Sequence, residues 1–220
     1  MQHKGDIKLA TKEERLALER ERTERMKEFE YRYCKEFAAI GGVDEVGRGP
    51  FAGPVYAACV ILPLNEEILY LNDSKKLSAK KREELYDIIM EKAVSVGIGF
   101  RDAARIDEIN ILQATYEAMR DAIAGMSVKP DMLLNDAVII PDVDIKQVAI
   151  TKGDTLSVSI AAASIVAKVT RDRLMDKFDN EYPGYGFARN KGYGTAEHIK
   201  ALKELGPCAI HRRSFISKYV

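Results

Sequence analysis

Two adjacent carboxylates, Asp44 and Glu45, close a short apolar run and lead directly into a glycine-flanked arginine, in Ile40-Gly-Gly-Val-Asp-Glu-Val-Gly-Arg-Gly-Pro50. Side-by-side acids repel one another, so a fold that keeps them close usually does so around a cation. An oxygen-only ligand set suits Mg²⁺ or Mn²⁺. The backbone at Gly47 and Gly49 can approach a ligand that a bulkier residue would hold off. Two further acids, Asp136 and Asp154, follow short apolar runs of their own. A lone acid at a strand end is usually a turn or cap residue, so the set of four is what points to chemistry. Carboxylates at strand ends converge even when distant in sequence, and that edge of an open α/β sheet is where ligands bind. Two metal ions about 4 Å apart on shared carboxylates would stabilise both the attacking water and the leaving oxygen of an in-line phosphoryl displacement.

The elements that must position these acids are legible as alternating signals. Residues 38–43 and 55–62 are β-rich runs joined by a Gly/Pro-punctuated turn, which predicts two antiparallel strands, and 94–100 reads as a third. Between them, 78–92 has helical periodicity with Ser78 as its cap. Residues 106–125 predict another helix, ended by Gly125. The runs 132–134 and 147–151 read as buried parallel strands. Residues 155–178 pass through the small-residue run Ala161-Ala-Ala-Ser164 and predict a helix lying close on the sheet, and a last helix is expected at 196–205. A three-strand meander followed by strands alternating with helices implies an α/β fold with a mixed five-stranded sheet flanked by helices.

Residues 1–38 form a separate compositional zone, with 10 Lys/Arg and 9 Asp/Glu in the first 36 positions. A charged N-terminal helical extension is expected there. Thr11-Lys-Glu-Glu14 resembles a capping box, and Leu9, Leu16, Met26, Phe29 and Tyr33 form a thin apolar stripe. Such a helix lies against the domain by one narrow face or extends from it. Residues 39–220 would then be the main domain, with a helical C-terminal segment.

Composition narrows the class. Lys+Arg and Asp+Glu both number 34, which argues against a protein that coats nucleic acid indiscriminately. Locally the balance shifts: residues 186–220 carry seven Lys/Arg against two Asp/Glu, and 131–154 carry five Asp against two Lys. An acidic cluster for cations beside a basic tail for phosphates is the layout of a metal-dependent nuclease. No stretch approaches the roughly 20 apolar residues of a membrane span, and a charged N-terminus does not resemble a signal peptide, so a cytoplasmic location is expected. Cys34, Cys59 and Cys208 are scattered and odd in number, suggesting buried small hydrophobes rather than a disulfide framework or zinc site. His198 and His211 read as loop or helix-end residues rather than ligands, since hard cations prefer oxygen.

Residues 43–50, with Ala52-Gly-Pro54 following, resemble the signature of ribonuclease HII, a nuclease of ribonuclease H-like fold. Asp73-Ser-Lys-Lys-Leu77, Leu134-Asn-Asp-Ala137, Lys152-Gly-Asp154, the run 159–173, Asn190-Lys-Gly-Tyr-Gly-Thr195 and His211-Arg-Arg-Ser-Phe215 match in the family's order, from about residue 40 to 217. The related ribonuclease HIII usually has Gly-Lys-Gly at positions 47–49 and a long additional N-terminal domain. One departure is Asn135, where the family commonly has an aliphatic residue. Strand alternation is expected to turn Asn135 away from the edge that Asp136 faces.

The resemblance implies that Asp44, Glu45, Asp136 and Asp154 are the catalytic, metal-binding acids. It implies cleavage of RNA within a DNA hybrid, and at ribonucleotides embedded in duplex DNA, to give 5′-phosphate and 3′-hydroxyl ends. Mn²⁺ or Mg²⁺ would be the cofactor and DNA replication and repair the setting; apart from the resemblance, a monomer is the simplest expectation. Gly47, Arg48 and Gly49 resemble the element that meets the ribose 2′-hydroxyl, the atom that separates RNA from DNA. Tyr193 resembles the residue that stacks on the neighbouring deoxyribose. Lys75, Lys76, Lys191, Arg212 and Arg213 are candidate phosphate contacts, while Lys168, Arg171 and Asp172 read as structural pairing. Taken without the resemblance, the acids leave open a DNA nuclease or junction resolvase of the same fold, or a hybrid-binding scaffold with a structural cation.

Overall fold

The computed structural model describes residues 11–220, so Leu9 of the predicted apolar stripe lies outside the described residues. Five strands, β1 (Ile40–Val46), β2 (Val55–Ile61), β3 (Ser95–Arg101), β4 (Met132–Asp136) and β5 (Lys146–Ile150), form one mixed sheet in the order β3-β2-β1-β4-β5. β1, β2 and β3 pair antiparallel, whereas β4 and β5 run parallel to β1. This is the predicted five-stranded α/β sheet.

One expectation about its edge needs correcting. Asp44 and Glu45 lie within β1 rather than after it, because two ladders of different length meet on that strand. The parallel ladder to β4 ends at Val43↔Asn135, while the antiparallel ladder to β2 continues through Asp44↔Ala58 and Glu45↔Ala57 to Val46↔Tyr56. Past Val43 the strand has a partner on one side only. Asp44 and Glu45 are therefore held rigidly by β2 and open toward the end of β4.

Eight helices complete the described residues: α1 (Lys12–Arg25), α2 (Glu28–Tyr33), α3 (Ala79–Lys92), α4 (Ala103–Ala124), α5 (Val158–Glu181), α6 (Phe187–Asn190), α7 (Ala196–Leu205) and α8 (Arg213–Ile216). None is long and apolar enough to cross a membrane. The predicted helix at 106–125 starts earlier, at the Asp102 cap, and is interrupted at Asn110 (φ 70°). There the Asn110 side chain accepts the Leu112 and Gln113 amides and so restarts the helix. The predicted 155–178 helix begins only at Val158, since Ser157 caps it and Thr155 closes a short 3₁₀ turn.

α5 and α4 cover opposite faces of the sheet. Ala58, Val60, Leu85, Ile89 and the Ala161–Ala167 stretch form the core under α5. Val43, Ala57, Cys59, Ala118 and Met119 form the one under α4. The approach of α5 to β1 is set by Gly42: a Cβ there would stand 2.1 Å from the Ser159 carbonyl carbon. Alternation puts Asp44 on the same face as Gly42, toward α5.

The charged N-terminal zone is two helices rather than one, broken at Met26–Lys27. The Thr11–Glu14 capping box forms as expected, with the Glu14 amide donating to Thr11 Oγ1 (3.2 Å) and the Thr11 amide to Glu14 Oε2 (2.7 Å). The break lets the chain turn onto the domain. Met26 enters the core, Phe29 and Tyr33 pack beside Ile40, and Lys27 Nζ donates to the Leu64 carbonyl (2.9 Å). Cys34, expected to be buried, is exposed where α2 ends.

The deepest contact of this zone is Glu30. Its Oε1 accepts the Ser157 hydroxyl (2.6 Å) and the Ser159 amide (3.0 Å), and the Val158 amide donates to the Met26 carbonyl (3.2 Å). The zone thus caps the N-terminus of α5, where a carboxylate is favoured by the helix dipole. Burial nevertheless raises the Glu30 pKa above its usual 4.5, the larger effect. The folded state holds that proton more tightly than the unfolded chain. Its contribution to stability is complete below the unfolded value and is lost as pH rises through the folded one. Glu30→Gln keeps the Oε1 acceptor and removes the titration, so urea unfolding is expected to show a flatter stability profile above pH 4.5 and no loss at neutral pH. Glu30→Ala strands the Ser157 hydroxyl and Ser159 amide and is expected to cost about 1–3 kcal/mol.

Candidate active site

The four predicted acids meet at the carboxyl ends of β1, β4 and β5. Asp44 is 6% exposed, and its Oδ1 accepts the Glu45 amide (2.7 Å). Asp136 ends β4, and its Oδ1 accepts the Gly153 amide (2.8 Å) from the turn after β5, which places it beside Asp154.

Their electrostatics show how closely they are gathered. Burial pushes the Asp44 carboxyl well above the usual range, and the Glu45 and Asp136 charges push the same way, with the nearby Ser164 hydroxyl opposing. Burial also raises Glu45, again with Asp136 contributing, while Arg48 and Lys75 oppose. Asp154 is raised to about 6 by burial first, then by Asp73 and Asp136, against Lys75 and Lys76. These carboxylates are short of positive charge.

As placed, no three His, Cys, Asp or Glu side chains among the described residues form a closed metal cage. The fit to a cation rests instead on the donor set. All four candidate donors are carboxylates, the proton affinity of Asp44, Glu45 and Asp154 is raised, and one of the few opposing charges is a single Arg48 Nη1–Glu45 Oε1 contact at 3.3 Å. Hard divalent ions are what such a set accepts.

Two residues in this cluster were not picked out as site residues from the sequence. Ser164, within the small-residue run of α5, lies beside Asp44 and donates its hydroxyl proton to Ser74 Oγ (3.0 Å). Asp73 accepts the Lys75 amide (2.9 Å) and so orients the 3₁₀ turn that aims Lys75 at the acids. The run of small residues was visible, but the contact required the tertiary approach of α5.

Asn135 turns away from Asp136 as alternation predicts. Its Nδ2 donates to Gln147 Oε1 (2.8 Å), which also accepts the Ile140 amide (2.8 Å), while Gln147 Nε2 donates to the Ile140 carbonyl (2.9 Å). Asn135 therefore fastens the loop between β4 and β5, behind the acidic edge.

The glycine-arginine-glycine segment is held from below by two fully buried guanidiniums. Arg171 on α5 donates to the carbonyls of Pro54 (2.9 Å), Lys191 (2.9 Å) and Ala52 (3.1 Å). Arg212 donates to those of Gly53 (2.9 Å), Arg48 (2.9 Å) and Gly47 (2.6 Å). Burial lowers both, Arg171 to about 10 and Arg212 to about 9, which leaves each charged at neutral pH. Arg212 is thus no phosphate contact: its head group is spent inside the protein. Arg171 binds carbonyls rather than an acid, whereas Lys168 does pair with Asp172 (2.7 Å).

A trans peptide points its N–H opposite its C=O. With the Gly47 and Arg48 carbonyls drawn down to Arg212, the amides of Arg48 and Gly49 face away from it. Gly47 is required for this geometry. Its φ is +93°, and a Cβ would stand 2.4 Å from Arg171 Nε.

Tyr193 is 41% exposed with its ring over Gly49, where a Cβ would be 3.7 Å from Tyr193 Cε1. The structure thus brings Gly47, Arg48, Gly49 and Tyr193 together beside the acids. Lys191 sits differently. Its ammonium pairs with Asp176, and its carbonyl is one of those gripped by Arg171. The Arg213 and Ser214 amides donate to Asp107 (2.7 and 3.0 Å), which ties the C-terminal segment to α4.

The sheet order, with carboxylates gathered at one end of its central strands, defines a nuclease of the ribonuclease H-like fold. A solved structure, ribonuclease H2 from Pyrococcus horikoshii OT3, superposes with a TM-score of 0.69 at 26% identity over 82% of this chain and 96% of that one. The family model for ribonuclease HII matches residues 41–218. Ribonuclease HII of Lachnoclostridium phytofermentans is 66% identical, covering 96% of this chain and 82% of its own length. That of Caldanaerobacter subterraneus subsp. tengcongensis is 56% identical, over 91% and 85% respectively. The chain belongs to the ribonuclease HII family. It is a divalent-metal-dependent endonuclease that acts on RNA/DNA hybrids.

Arg212→Lys keeps a charge but loses the fork that spans three carbonyls. An order of 2–4 kcal/mol of stability is expected to be lost in urea unfolding. Arg213→Lys, on the surface, is expected to stay within about 0.5 kcal/mol.

Proposed function

We propose that Asp44, Glu45, Asp136 and Asp154 together hold two divalent cations, Mg²⁺ or Mn²⁺, and that this site incises duplex DNA at embedded ribonucleotides as well as hybrids. The observation that carries this reading is the gathering of four carboxylates, three of them with raised proton affinity, against one ion-pair contact. Bound there, the ions supply activation of the attacking water and charge compensation at the leaving oxygen. The products would be a 5′-phosphate and a 3′-hydroxyl.

Substrate choice falls to the neighbouring loop. The outward amides of Arg48 and Gly49 are placed to meet the ribose 2′-hydroxyl and its adjacent phosphate, and Gly49 leaves room for the sugar. The Tyr193 ring offers a flat apolar face suited to a sugar that lacks that hydroxyl. Lys75 adds positive charge at the rim for the phosphate backbone, and Lys191 contributes through its carbonyl and its pairing with Asp176. Residues 39–220 would form the catalytic domain, with 1–38 as an extension that steadies α5. Action as a monomer in the cytoplasm, in DNA replication and repair, belongs to the same proposal.

A duplex with a single ribonucleotide, compared with an all-DNA control, tests this directly. Cleavage of the first alone, dependent on added Mg²⁺ or Mn²⁺, is expected; equal cutting of both sinks the ribose-reading assignment. Asp136→Asn is expected to bind hybrid but lose roughly 10²-fold or more in cleavage rate. In metal-free protein, Asp44→Asn keeps the Oδ1 acceptor and relieves repulsion, so its thermal midpoint is expected to rise.

A further inference from the structure

Behind Tyr193 lies a buried chain of polar atoms that the chemistry above does not use. His198 on α7 is 0% exposed and His211 2%. Their Nε2 atoms stand 3.0 Å apart. His198 Nδ1 lies 2.9 Å from the Tyr193 carbonyl oxygen, and His211 Nδ1 accepts the Cys208 amide (3.0 Å). Tyr185, Phe187 and Phe51 wall the pair, with Phe187 edge-on to His198 at 5.3 Å and Tyr185 5.0 Å from His211.

Only one assignment of protons satisfies this chain. A backbone N–H can only donate, so His211 Nδ1 must be bare and its proton must sit on Nε2. That Nε2–H needs an acceptor, so His198 Nε2 must be bare. The His198 proton then lies on Nδ1 and donates to the Tyr193 carbonyl. A second proton on either ring would set two N–H groups against each other. Burial lowers both imidazoles, His211 to about 4 with His198 adding to the effect.

The contact sits where it can govern the tyrosine. The Tyr193 carbonyl accepts both His198 Nδ1–H and the Thr195 amide (2.8 Å), and the Tyr193 amide donates to the Asn190 carbonyl (2.9 Å). Phe51 blocks any side chain at position 194, where a Cβ would be 2.3 Å from its ring. The His211 end is tied to the opposite loop, since Ala52 and His211 form a β-bridge and the Arg212 amide donates to the Phe51 carbonyl (2.8 Å). The relay therefore spans the two segments between which the Tyr193 ring and Gly49 meet.

We propose that His198 and His211 are positioning residues, a tautomer-locked neutral relay that fixes Tyr193 over Gly49 and so sets the preference for a deoxyribose beside the ribonucleotide. The inference rests on the reading of Tyr193 as the residue that contacts that sugar.

The measurement is the ratio of kcat/KM for a duplex with one embedded ribonucleotide to that for a hybrid whose whole strand is RNA. Tyr193→Ala sets the full loss. His198→Ala is expected to lower the ratio about tenfold, the worth of one positioned hydrogen bond. His198→Asn, whose amide nitrogen replaces Nδ1, is expected to restore most of it. A ratio that collapses in Tyr193→Ala but keeps its wild-type value in folded His198→Ala overturns the relay. A ratio unmoved by Tyr193→Ala overturns the sugar-contact reading beneath it. The tautomers give a test that needs no variant of the relay. In ¹⁵N-histidine-labelled protein, with His3→Gln removing the third signal, the rings are expected to show bare Nδ1 on His211 and bare Nε2 on His198 at neutral pH. A doubly protonated ring, or the reverse tautomers, overturns the proposal.

Discussion

Two guanidiniums buried without a carboxylate partner are the constraint on which the loop of residues 47–54 depends. Taking a charge out of water is costly, and the cost is met here by six backbone carbonyls from residues 47, 48, 52, 53, 54 and 191. A carboxylate partner would have neutralised each arginine but left those carbonyls without donors. The planar fork of arginine suits this task because one rigid group can hold several fixed acceptors. The amides of Arg48 and Gly49 are thereby held facing outward, and the proposed ribose contact would avoid an ordering cost.

The acidic edge is built on the opposite principle, with like charge left under-compensated. Asp44 is buried on a strand that α5 covers, and its neighbours Glu45 and Asp136 make its ionised form more costly still. Such a cluster weakens the fold by itself, and a cation bound as proposed would stabilise it. The two halves share one support. α5 carries Ser164 against Asp44 and, nearly two turns later, Arg171 beneath the loop, while Glu30 and Met26 fasten its first turn.

Particular residues show how far the chain could be read without coordinates. Asp136 and Asn135 were separable by strand alternation, and the structure has them on opposite sides of β4. Lys168 and Asp172 are four apart on a helix, and they do pair. Arg171 and Arg212 were misjudged because an arginine in a basic stretch looks like a surface phosphate contact or half of an ion pair. Nothing local reveals that α5 and the C-terminal segment converge beneath residues 47–54. Asp44 and Glu45 were placed one step too late for a similar reason. Local propensity marks where an apolar run stops, whereas the end of β1 is decided by how far β2 continues to pair with it.

The types and order of the functional groups, the strand and helix periods and the oxygen-only donor set were all properties of the chain itself, because they follow from local chemistry and short-range geometry. The tertiary structure decided which charges are buried and what each of them faces. Burial, proton affinity and the choice of hydrogen-bond partner depend on contacts between segments more than 100 residues apart, as between Arg212 and Gly47 or Glu30 and Ser157. No local pattern encodes those contacts.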